Sequence, residues 1–369
     1  MRFAVKFNGT LLDTFAPTRG LRQGDLLSPF LFLFVSDGLS LLLDEKVNQG
    51  NLTPVKVCRS APGISHLLFA DDTLLFFKAE VEQAETIKSV LGQYAAGTGQ
   101  LINPLKCSIQ FGESCPADTQ TAIRNCLQLG NKSFEDKYLG FPTPEGRMSK
   151  GKFQSLQEKI WKRIIMWGEN FLSSRGKEIM LKAVIQAIPV YVMGLFKLSD
   201  SVCEDLNKIS RSFWWGADRG KRKTYWRSWD QLVKPKQNGG LGFRDFRLFN
   251  QALLARQAWR LIDRPESLCA RVLRAKYYPS GSLIDTAFGG NASPGWRAIE
   301  YGLELLKKGI IWRVGNGHSI RIWRDPWLPR NHSQRPITVR GNCRTKWVAD
   351  LMGVDGTWDE QVVKRIFWP

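Results

Sequence analysis

The sequence predicts an α+β fold in two parts. The amino-terminal part mixes strands with helices, and the carboxy-terminal part is mostly helical, basic and rich in tryptophan. The chain has 53 Lys and Arg residues and 34 Asp and Glu residues, and residues 1–150 contain 15 basic and 15 acidic ones. The whole net charge of +19 therefore belongs to residues 151–369. All 14 tryptophans lie there as well. This shift predicts a domain boundary near residues 146–151, and the length suffices for two or three domains.

The elements of the first part follow the order of a split βαβ unit whose first strand and helix are missing. Short runs rich in β-branched and aromatic residues predict strands, and apolar residues at helical spacing predict helices. The predicted elements are a hairpin of residues 4–7 and 11–15 around Asn8-Gly9, a helix over 29–46, paired strands around 71–72, a helix over 80–96 that ends near Gly97, and a strand over 107–111.

The helix over 29–46 contains the longest apolar run of the chain, from Phe30 to Leu43. Ser28 is predicted as its N-cap and Pro29 as its first helical residue. Polar residues interrupt the run, which is too short to span a bilayer, so no membrane partner is expected. Because the run is apolar nearly all round, we expect a buried helix.

The stretch from His66 to Phe77 sets Asp71 and Asp72 between two apolar runs of strand length. This pattern predicts a β-hairpin with both carboxylates at its tip. Successive strand side chains point to opposite faces, so both can face one ion only if the turn rotates one of them. Such a pair can hold hard cations such as Mg²⁺, and the alternative is a solvated turn.

A second stretch, residues 19–29, combines glycines with polar side chains just ahead of the helix. Gly20 and Gly24 free the backbone to approach a ligand closely. Arg22 and Gln23 can contact a phosphate or a base edge. The alternative is a glycine-rich loop that only caps the helix.

Together these stretches resemble the reverse transcriptases of non-LTR (LINE-type) retrotransposons, in the form found in plant genomes. Five blocks stand in the family's order, namely Arg-Gly-Leu-Arg-Gln-Gly-Asp at 19–25 before Ser28-Pro29, Phe-Ala-Asp-Asp at 69–72, Ile-Asn-Pro-Leu-Lys-Cys at 102–107, Lys-Tyr-Leu-Gly at 137–140, and the tryptophan-rich tail. The resemblance covers nearly the whole chain. Leu26 departs from it, since the family usually has Pro after the Asp.

The resemblance implies an RNA-directed DNA polymerase, in which a primer 3′-hydroxyl attacks the α-phosphate of a deoxynucleoside triphosphate and pyrophosphate leaves. Its partners would be an RNA template, a DNA primer and deoxynucleoside triphosphates, and its cofactors two Mg²⁺ ions. Asp71 would be the principal metal ligand and Asp72 the supporting one. Lys106 matches the position thought to neutralise or protonate pyrophosphate, and its alternative is a solvated lysine.

The resemblance also assigns binding residues and domains. Arg22, Gln23 and Gly24 would contact template and incoming nucleotide. Tyr138, Leu139 and Gly140 match the primer grip, with a strand ending at a glycine as the alternative. Residues 1–148 would be a partial polymerase palm of split βαβ type with its first strand missing, residues 149–215 a helical thumb-like region, and residues 216–369 a basic Trp-rich region ahead of the family's zinc-binding and ribonuclease H parts.

The family's third metal-binding Asp lies upstream of the Arg-Gly block, and residues 1–18 do not contain its motif. Two dications held by two carboxylates keep excess positive charge, so we expect weak metal binding. We also expect the chain to be a polymerase fragment that is truncated at both ends. Three hypotheses stay open. They are a polymerase fragment without activity, an active polymerase with an unrecognised third ligand, and a nucleic-acid-binding remnant.

In the second part, helices are predicted at 153–168, 177–188, 198–215 and 251–262, and a β-hairpin over 311–323. The first two helices carry Lys and Arg on one face, as a thumb facing nucleic acid would, and the alternative is a solvated or partner-binding face. A basic cluster between the later helices is predicted to contact phosphate from a loop, and the alternative is a nuclear localisation signal; it consists of Arg219, Lys221, Arg222 and Lys223.

The seven cysteines are scattered and form no Cys-x₂-Cys pair. We therefore expect free thiols in a reducing compartment and no structural zinc. The first residues have no apolar signal-peptide core, so we expect a nuclear or cytoplasmic location rather than secretion. The sequence does not specify an oligomeric state.

Overall fold

The computed structural model describes residues 2–16, 20–22, 24–130, 137–142, 153–167, 172–218, 221–222, 224–286, 289, 292–330 and 334–367. The chain divides into two compact units. Unit 1 consists of Met1–Gly146 and Pro265–Gly281, and unit 2 of Arg147–Arg264 and Ser282–Pro369. The described fold is α+β, with helices and short antiparallel sheets of two strands each. The three predicted domains stay a prediction.

Unit 1 contains three hairpins and four helices among its described residues. They are β1 (Lys6–Phe7), β2 (Thr10–Leu11), α1 (Ser28–Asn48), β3 (His66–Phe69), β4 (Asp72–Leu75), α2 (Val81–Thr98), α3 (Ala117–Leu127), β5 (Lys137–Tyr138), β6 (Phe141–Pro142) and α10 (Leu268–Tyr277). The predicted first hairpin is confirmed, because Lys6 pairs with Leu11 and a bridge joins Phe3 to Phe15.

The prediction that the helix over 29–46 is buried is wrong for its first half. Only Leu39 and Leu43 of α1 are buried, whereas Phe30, Leu33 and Phe34 are 62%, 63% and 77% exposed. The second half packs on α2 and β3, and the first half extends past them. Periodicity reports which residues are apolar, and burial also needs a neighbouring element to cover them.

The start of α1 also differs from the prediction. Leu27 occupies the N-cap position and Ser28 is the first helical residue. The Ser28 hydroxyl donates to the carbonyl of Arg22 at 2.9 Å instead of capping the helix. A carboxylate oxygen of Asp25 accepts the N–H of Leu27 at 3.0 Å, so the aspartate rather than the serine satisfies a backbone donor here.

The predicted helix over 80–96 is confirmed as α2. It ends at Gly99, whose φ of +73° is the left-handed conformation of a helix C-terminus. The core of unit 1 lies between α1, α2 and the loop after α1; its buried members are Leu39, Leu43, Leu52, Ile87 and Val90. Leu68 and Leu75 of the β3–β4 hairpin pack against this core.

The predicted strand over 107–111 is wrong. These residues follow a 3₁₀ turn, Pro104–Lys106, and pair with no strand in the described part of the chain. A strand needs a neighbour for its backbone hydrogen bonds, and among the described residues β3 and β4 pair only with each other. The helix that follows, α3, was not predicted.

Unit 2 is mostly helical. Its described elements are α4 (Gln154–Trp167), α5 (Ser174–Met180) continued by a π-helical segment (Leu181–Ile185), α6 (Val190–Met193), α7 (Asp200–Trp215), β7 (Ala217–Asp218), β8 (Lys221–Arg222), α8 (Trp229–Val233), α9 (Phe246–Asp263), α11 (Pro294–Gly309) and α12 (Glu360–Ile366). The helices predicted over 153–168, 198–215 and 251–262 are confirmed as α4, α7 and α9. The helix predicted over 177–188 corresponds to α5 with its π-helical segment.

The helices of unit 2 pack around α9. Its closest neighbour is α11, which crosses it at Gly302. The buried Asn250 of α9 donates to the carbonyls of Met193 and Phe196 and accepts the N–H of Leu198, so one side chain satisfies three backbone groups between α6 and α7.

The predicted β-hairpin over 311–323 is wrong. Arg321 forms an antiparallel bridge with Trp347, outside the predicted hairpin, and the N–H of Trp312 donates to the carbonyl of Pro326. A separate small core holds this segment, with Ile320, Ile322 and Val348 at its centre. Across the described ranges, every helix is too short or too polar to cross a membrane.

Candidate active site

The two adjacent aspartates lie at the tip of the β3–β4 hairpin, as predicted. Phe69 pairs with Asp72 and Leu68 with Thr73, so Ala70 and Asp71 form the two-residue turn and Asp72 is the first residue of β4. The apolar runs on both sides pair over four residues each, from His66–Leu75 to Phe69–Asp72. The backbone of the hairpin therefore fixes both aspartates next to each other.

Ala70 adopts a φ of +50° in this turn. Two-residue hairpin turns need a positive φ at their first position, which glycine or asparagine adopts most easily. An alanine in this region costs roughly 1–2 kcal/mol, because its Cβ approaches the following carbonyl. The hairpin accepts local backbone strain beside the two carboxylates, and such strain clusters at functional sites.

Both carboxylates are available to a ligand. Asp71 and Asp72 are exposed. In the portion of the chain that the structure describes, neither carboxylate accepts a hydrogen bond or forms an ion pair. Since the protein leaves these oxygens without donors, a cation or a donor group from outside can take them.

The hairpin presents these acids beside an exposed apolar face. Leu68 and Leu75 point to the face that packs on α1 and α2. Side chains alternate, so Leu67, Phe69 and Asp72 share the opposite face, where Leu67 is 38% and Phe69 56% exposed. Strand β3 is therefore apolar on both faces, and one of those faces is open.

The donor set does not fit two Mg²⁺ ions. Mg²⁺ demands octahedral oxygen ligands, and two ions share several carboxylates. Within the described ranges, no group of three or more His, Cys, Asp and Glu side chains lies close enough to hold a metal ion. Asp71 and Asp72 therefore have no third protein ligand among the described residues.

Lys106 lies at the end of the 3₁₀ turn Pro104–Lys106 and is exposed. The side chain of Asn103 accepts the N–H of Leu105 at 3.0 Å and fixes this turn. No hydrogen bond or ion pair joins Lys106 to Asp71 or Asp72, all three of which the structure describes. Its role with pyrophosphate stays a prediction.

Of the predicted template and nucleotide contacts, Arg22 and Gly24 are described and Gln23 lies outside the described residues. Gly20 and Gly24 both have a φ of +86°, and a Cβ at either position would meet no atom within 4 Å. Backbone conformation therefore requires these glycines. The side chain of Arg22 is exposed, while its carbonyl accepts from Ser28 and Asp25.

The predicted primer-grip residues form the tip of the β5–β6 hairpin. Tyr138 pairs with Phe141, and the turn residues Leu139 and Gly140 have φ values of +51° and +76°. Phe141 is buried and Tyr138 half-buried. The alternative for these residues was a strand that ends at a glycine, and the structure has a tight hairpin there instead. Contact with a primer stays a prediction.

The predicted basic cluster lies partly in β8. Lys221 and Arg222 pair with Asp218 and Ala217 of β7, so these two residues are in a hairpin rather than in a loop. Arg219 and Lys223 lie outside the described residues.

Sequence reasoning missed a cavity of about 700 Å³ in unit 2. Its lining mixes arginines with acids and includes Arg211, Arg227, Arg247, Asp200, Asp230 and Cys203. Burial, together with Asp200 and Asp245, raises the pKa of the Cys203 thiol to about 12, so this thiol is protonated and unreactive at neutral pH. The residues that line the cavity come from α7, α8, α9 and the segments between them, so no local sequence pattern predicts the cavity.

Comparison with known proteins finds a matching protein family and several relatives. The family model described as reverse transcriptase (RNA-dependent DNA polymerase) matches residues 1–143. An uncharacterized mitochondrial protein of Arabidopsis thaliana is 43% identical over 143 residues, which are 38% of this chain and 93% of that protein. A putative ribonuclease H protein of the same plant is 32% identical over 228 residues, 59% of this chain and 36% of that protein.

A further relative is a retrotransposon protein. The retrovirus-related Pol polyprotein from the type-1 retrotransposable element R2 of Popillia japonica is 34% identical over 89 residues. These are 24% of this chain and 14% of that protein. The chain thus spans nearly all of the first relative and a minor part of the ribonuclease H and Pol relatives.

Proposed function

The chain belongs to the reverse transcriptases of retrotransposons, and on that premise we propose that residues 1–143 are the palm of an RNA-directed DNA polymerase. Asp71 and Asp72 are its carboxylates. The observation that carries the proposal is the β3–β4 hairpin, which lies within the matched residues and holds two exposed carboxylates that the described protein leaves without partners. Its substrates are a primed RNA template and deoxynucleoside triphosphates.

The remaining predicted site residues contact the template, the nucleotide, the pyrophosphate and the primer. Arg22 offers five N–H donors to template phosphate or base, and the backbone at Gly24 allows a nucleotide to approach without a Cβ in the way. Lys106, with its ammonium free of carboxylates, neutralises negative charge on the pyrophosphate. The tight turn of Leu139 and Gly140 contacts the primer strand. Residues 149–215 serve as the thumb, since α4 buries Ile160 and Ile164 while its basic residues face solvent.

We further propose that this chain alone does not synthesise DNA. Mg²⁺, when bound, would activate the primer hydroxyl and neutralise the phosphates. Two carboxylates cannot satisfy two such ions, and the described residues bring no third acid to Asp71 and Asp72. The chain then retains the substrate contacts of the palm and lacks the metal affinity that the reaction needs.

The test is primer extension on an RNA template with Mg²⁺ in excess. The chain should extend the primer no faster than its Asp71→Asn and Asp72→Asn variants, and all three should match Asp118→Asn, a control at an exposed acid of α3. Mg²⁺-dependent synthesis that Asp71→Asn abolishes and Asp118→Asn keeps would overturn the proposed inactivity. It would at the same time support the assignment of Asp71.

A second candidate function is nucleic-acid binding by the carboxy-terminal part, whether or not the palm is active. The observation that favours it is the charge partition, since residues 151–369 carry the whole excess of +19. A protein that neutralises phosphates releases counterions, so its affinity falls steeply with salt. Binding of the full chain to single-stranded DNA should therefore weaken strongly between about 50 and 200 mM salt.

A further inference from the structure

A cleft of about 610 Å³ opens on the surface of unit 2, near the end of the chain. Six consecutive or near-consecutive residues line it, namely Arg340, Gly341, Asn342, Cys343, Arg344 and Lys346. Three of the six side chains are cationic, and none is acidic. This composition differs from that of the 700 Å³ cavity, in which arginines alternate with carboxylates.

The three cations are free of protein carboxylates. Arg340, Arg344 and Lys346 are all exposed, and within the described ranges none of them forms an ion pair. Other lysines of unit 2 are paired, such as Lys208 with Asp205, Lys236 with Glu178 and Lys364 with Glu360. The positive charge of the cleft is therefore not neutralised locally.

The backbone beneath the cleft is anchored. A turn closes it, since Cys343 N–H donates to the Arg340 carbonyl at 3.1 Å. Beyond the turn, Ile322 N–H donates to the Lys346 carbonyl at 3.0 Å, and the indole N–H of Trp323 donates to the Thr345 carbonyl at 3.3 Å.

The far end of the segment is held by one acid. A carboxylate oxygen of Asp350 accepts the N–H groups of Lys346 and Trp347, at 3.2 and 3.0 Å. Val348 then enters the small core with Ile320. Long flexible side chains thus project from a backbone that is already ordered, so binding needs to order only the side chains.

We propose that this cleft holds phosphates of a nucleic-acid backbone. The proposal rests on the proposed nucleic-acid-binding function and gives it a location outside the residues that match the reverse transcriptase model. The Nε–H of Arg340 donates to the carbonyl of Cys343 at 3.4 Å, but none of the three cations has a carboxylate partner among the described residues. Three such cations around one cleft attract a chain of negative charges more strongly than a single anion. The three cationic side chains repel a metal cation, and an apolar ligand finds no large apolar side chain in the lining.

The contact is to phosphates and not to bases. Trp347, the nearest tryptophan in sequence, does not line the cleft. Its ring is covered by the guanidinium of Arg321, which lies 5.6 Å from the ring centroid. Arg340, Arg344 and Lys346 therefore hold the backbone without reading the sequence.

The experiment measures the salt dependence of binding by the full chain. The two probes are a fluorescein-labelled single-stranded DNA of mixed sequence and the same strand with abasic sites throughout. The test variant combines Arg340→Gln, Arg344→Gln and Lys346→Gln. Each phosphate contact contributes about 0.7 to the slope of log affinity against log salt, so the slope should fall by about 2 and affinity at about 0.1 M salt by 10- to 100-fold.

A matched control removes the same charge from paired lysines, with Lys208→Gln, Lys236→Gln and Lys364→Gln. It should lose much less of the slope, since carboxylates already neutralise these lysines. If the triple cleft variant does not fold by circular dichroism, Lys346→Gln alone should lower the slope by about 0.7. An Arg340→Lys, Arg344→Lys variant should keep the slope of the wild type, because it keeps the charge.

The outcomes separate the site from the function. Equal losses in the cleft variant on both probes, with the control retained, support the site. A cleft variant that binds like the wild type overturns the site and leaves the nucleic-acid-binding function standing. A loss on the base-containing strand only, or an equal loss in the control, also overturns it. Absence of salt-dependent binding by the wild type overturns the function itself.

Discussion

Gly302 sits where α11 crosses α9, and its replacement by alanine should destabilise unit 2. A Cβ at Gly302 would lie 2.2 Å from the carbonyl carbon of Leu254 and 2.4 Å from the N of Ala255. Ordinary contacts of a Cβ are longer than 3.4 Å. The atoms it would meet are backbone, so no side chain can rotate away, and the two helices must separate by about 1 Å.

The size of the effect follows from two opposing contributions. Overpacking of a core costs about 1–3 kcal/mol, and a clash with backbone lies at the upper end of that range. Alanine gains up to about 1 kcal/mol over glycine in helix propensity. We therefore expect Gly302→Ala to lower the free energy of unfolding of unit 2 by about 2 kcal/mol, a large part of a total of about 5–15 kcal/mol.

Urea unfolding followed by circular dichroism measures this loss. With a slope of about 1–3 kcal/mol per molar, the midpoint should fall by roughly 1 M. The control is Gly295→Ala in the first turn of the same helix, where a Cβ would meet nothing within 4 Å. It should leave unit 2 as stable or slightly more stable. If Gly302→Ala were as stable as Gly295→Ala, the close crossing of α9 and α11 would be refuted.

Two other predictions concern burial and pH. Leu43→Ala should lower the free energy of unfolding by about 3 kcal/mol, because Leu43 is fully buried. Leu33→Ala, at a position 63% exposed, should change it by no more than about 0.5 kcal/mol. Urea unfolding measures both variants, and equal losses would mean that the first half of α1 is covered in solution. The hydrogen bonds and charges of Lys182 and Lys236 lower the pKa of Glu178, so its carboxylate stabilises unit 2 above the ordinary pKa of about 4.3, and this stability is lost as the pH falls through the lowered pKa. Glu178→Gln should therefore lower the thermal midpoint at pH 7, and its difference from the wild type should shrink as the pH falls below the ordinary pKa; a difference that does not shrink in acid would contradict this account.

Local patterns predicted the elements whose partners are close in sequence. The Asn8-Gly9 and Ala70-Asp71 turns join strands that pair with each other, so turn chemistry and apolar runs suffice. The amphipathic helices α2 and α4 carry their own periodicity. The wrongly predicted strand over 107–111 and hairpin over 311–323 depend on partners that local patterns do not specify. Arg321 pairs instead with Trp347, 26 residues later.

The site was predictable to a similar depth. Adjacent aspartates between two apolar runs locate the hairpin tip, but the exposure of Phe69 beside them depends on which element covers β3. The basic cleft had a signal that was overlooked, since Arg340, Arg344 and Lys346 fall within seven residues that contain no acid. The 700 Å³ cavity had none, because α7, α8 and α9 bring its lining together.

The helix α10 belongs to unit 1 although unit 2 begins more than a hundred residues before it. A ribosome that has finished Gly146 must add about 135 further residues before Gly281 completes unit 1, roughly 7–27 s at about 5–20 residues per second. Throughout that interval the surface of unit 1 on which α10 rests stays uncovered, in addition to the first half of α1, which is exposed in the finished structure as well. Synthesis thus imposes an order in which the amino-terminal unit is finished only after much of the second has emerged, and chaperones have that whole interval in which to bind it.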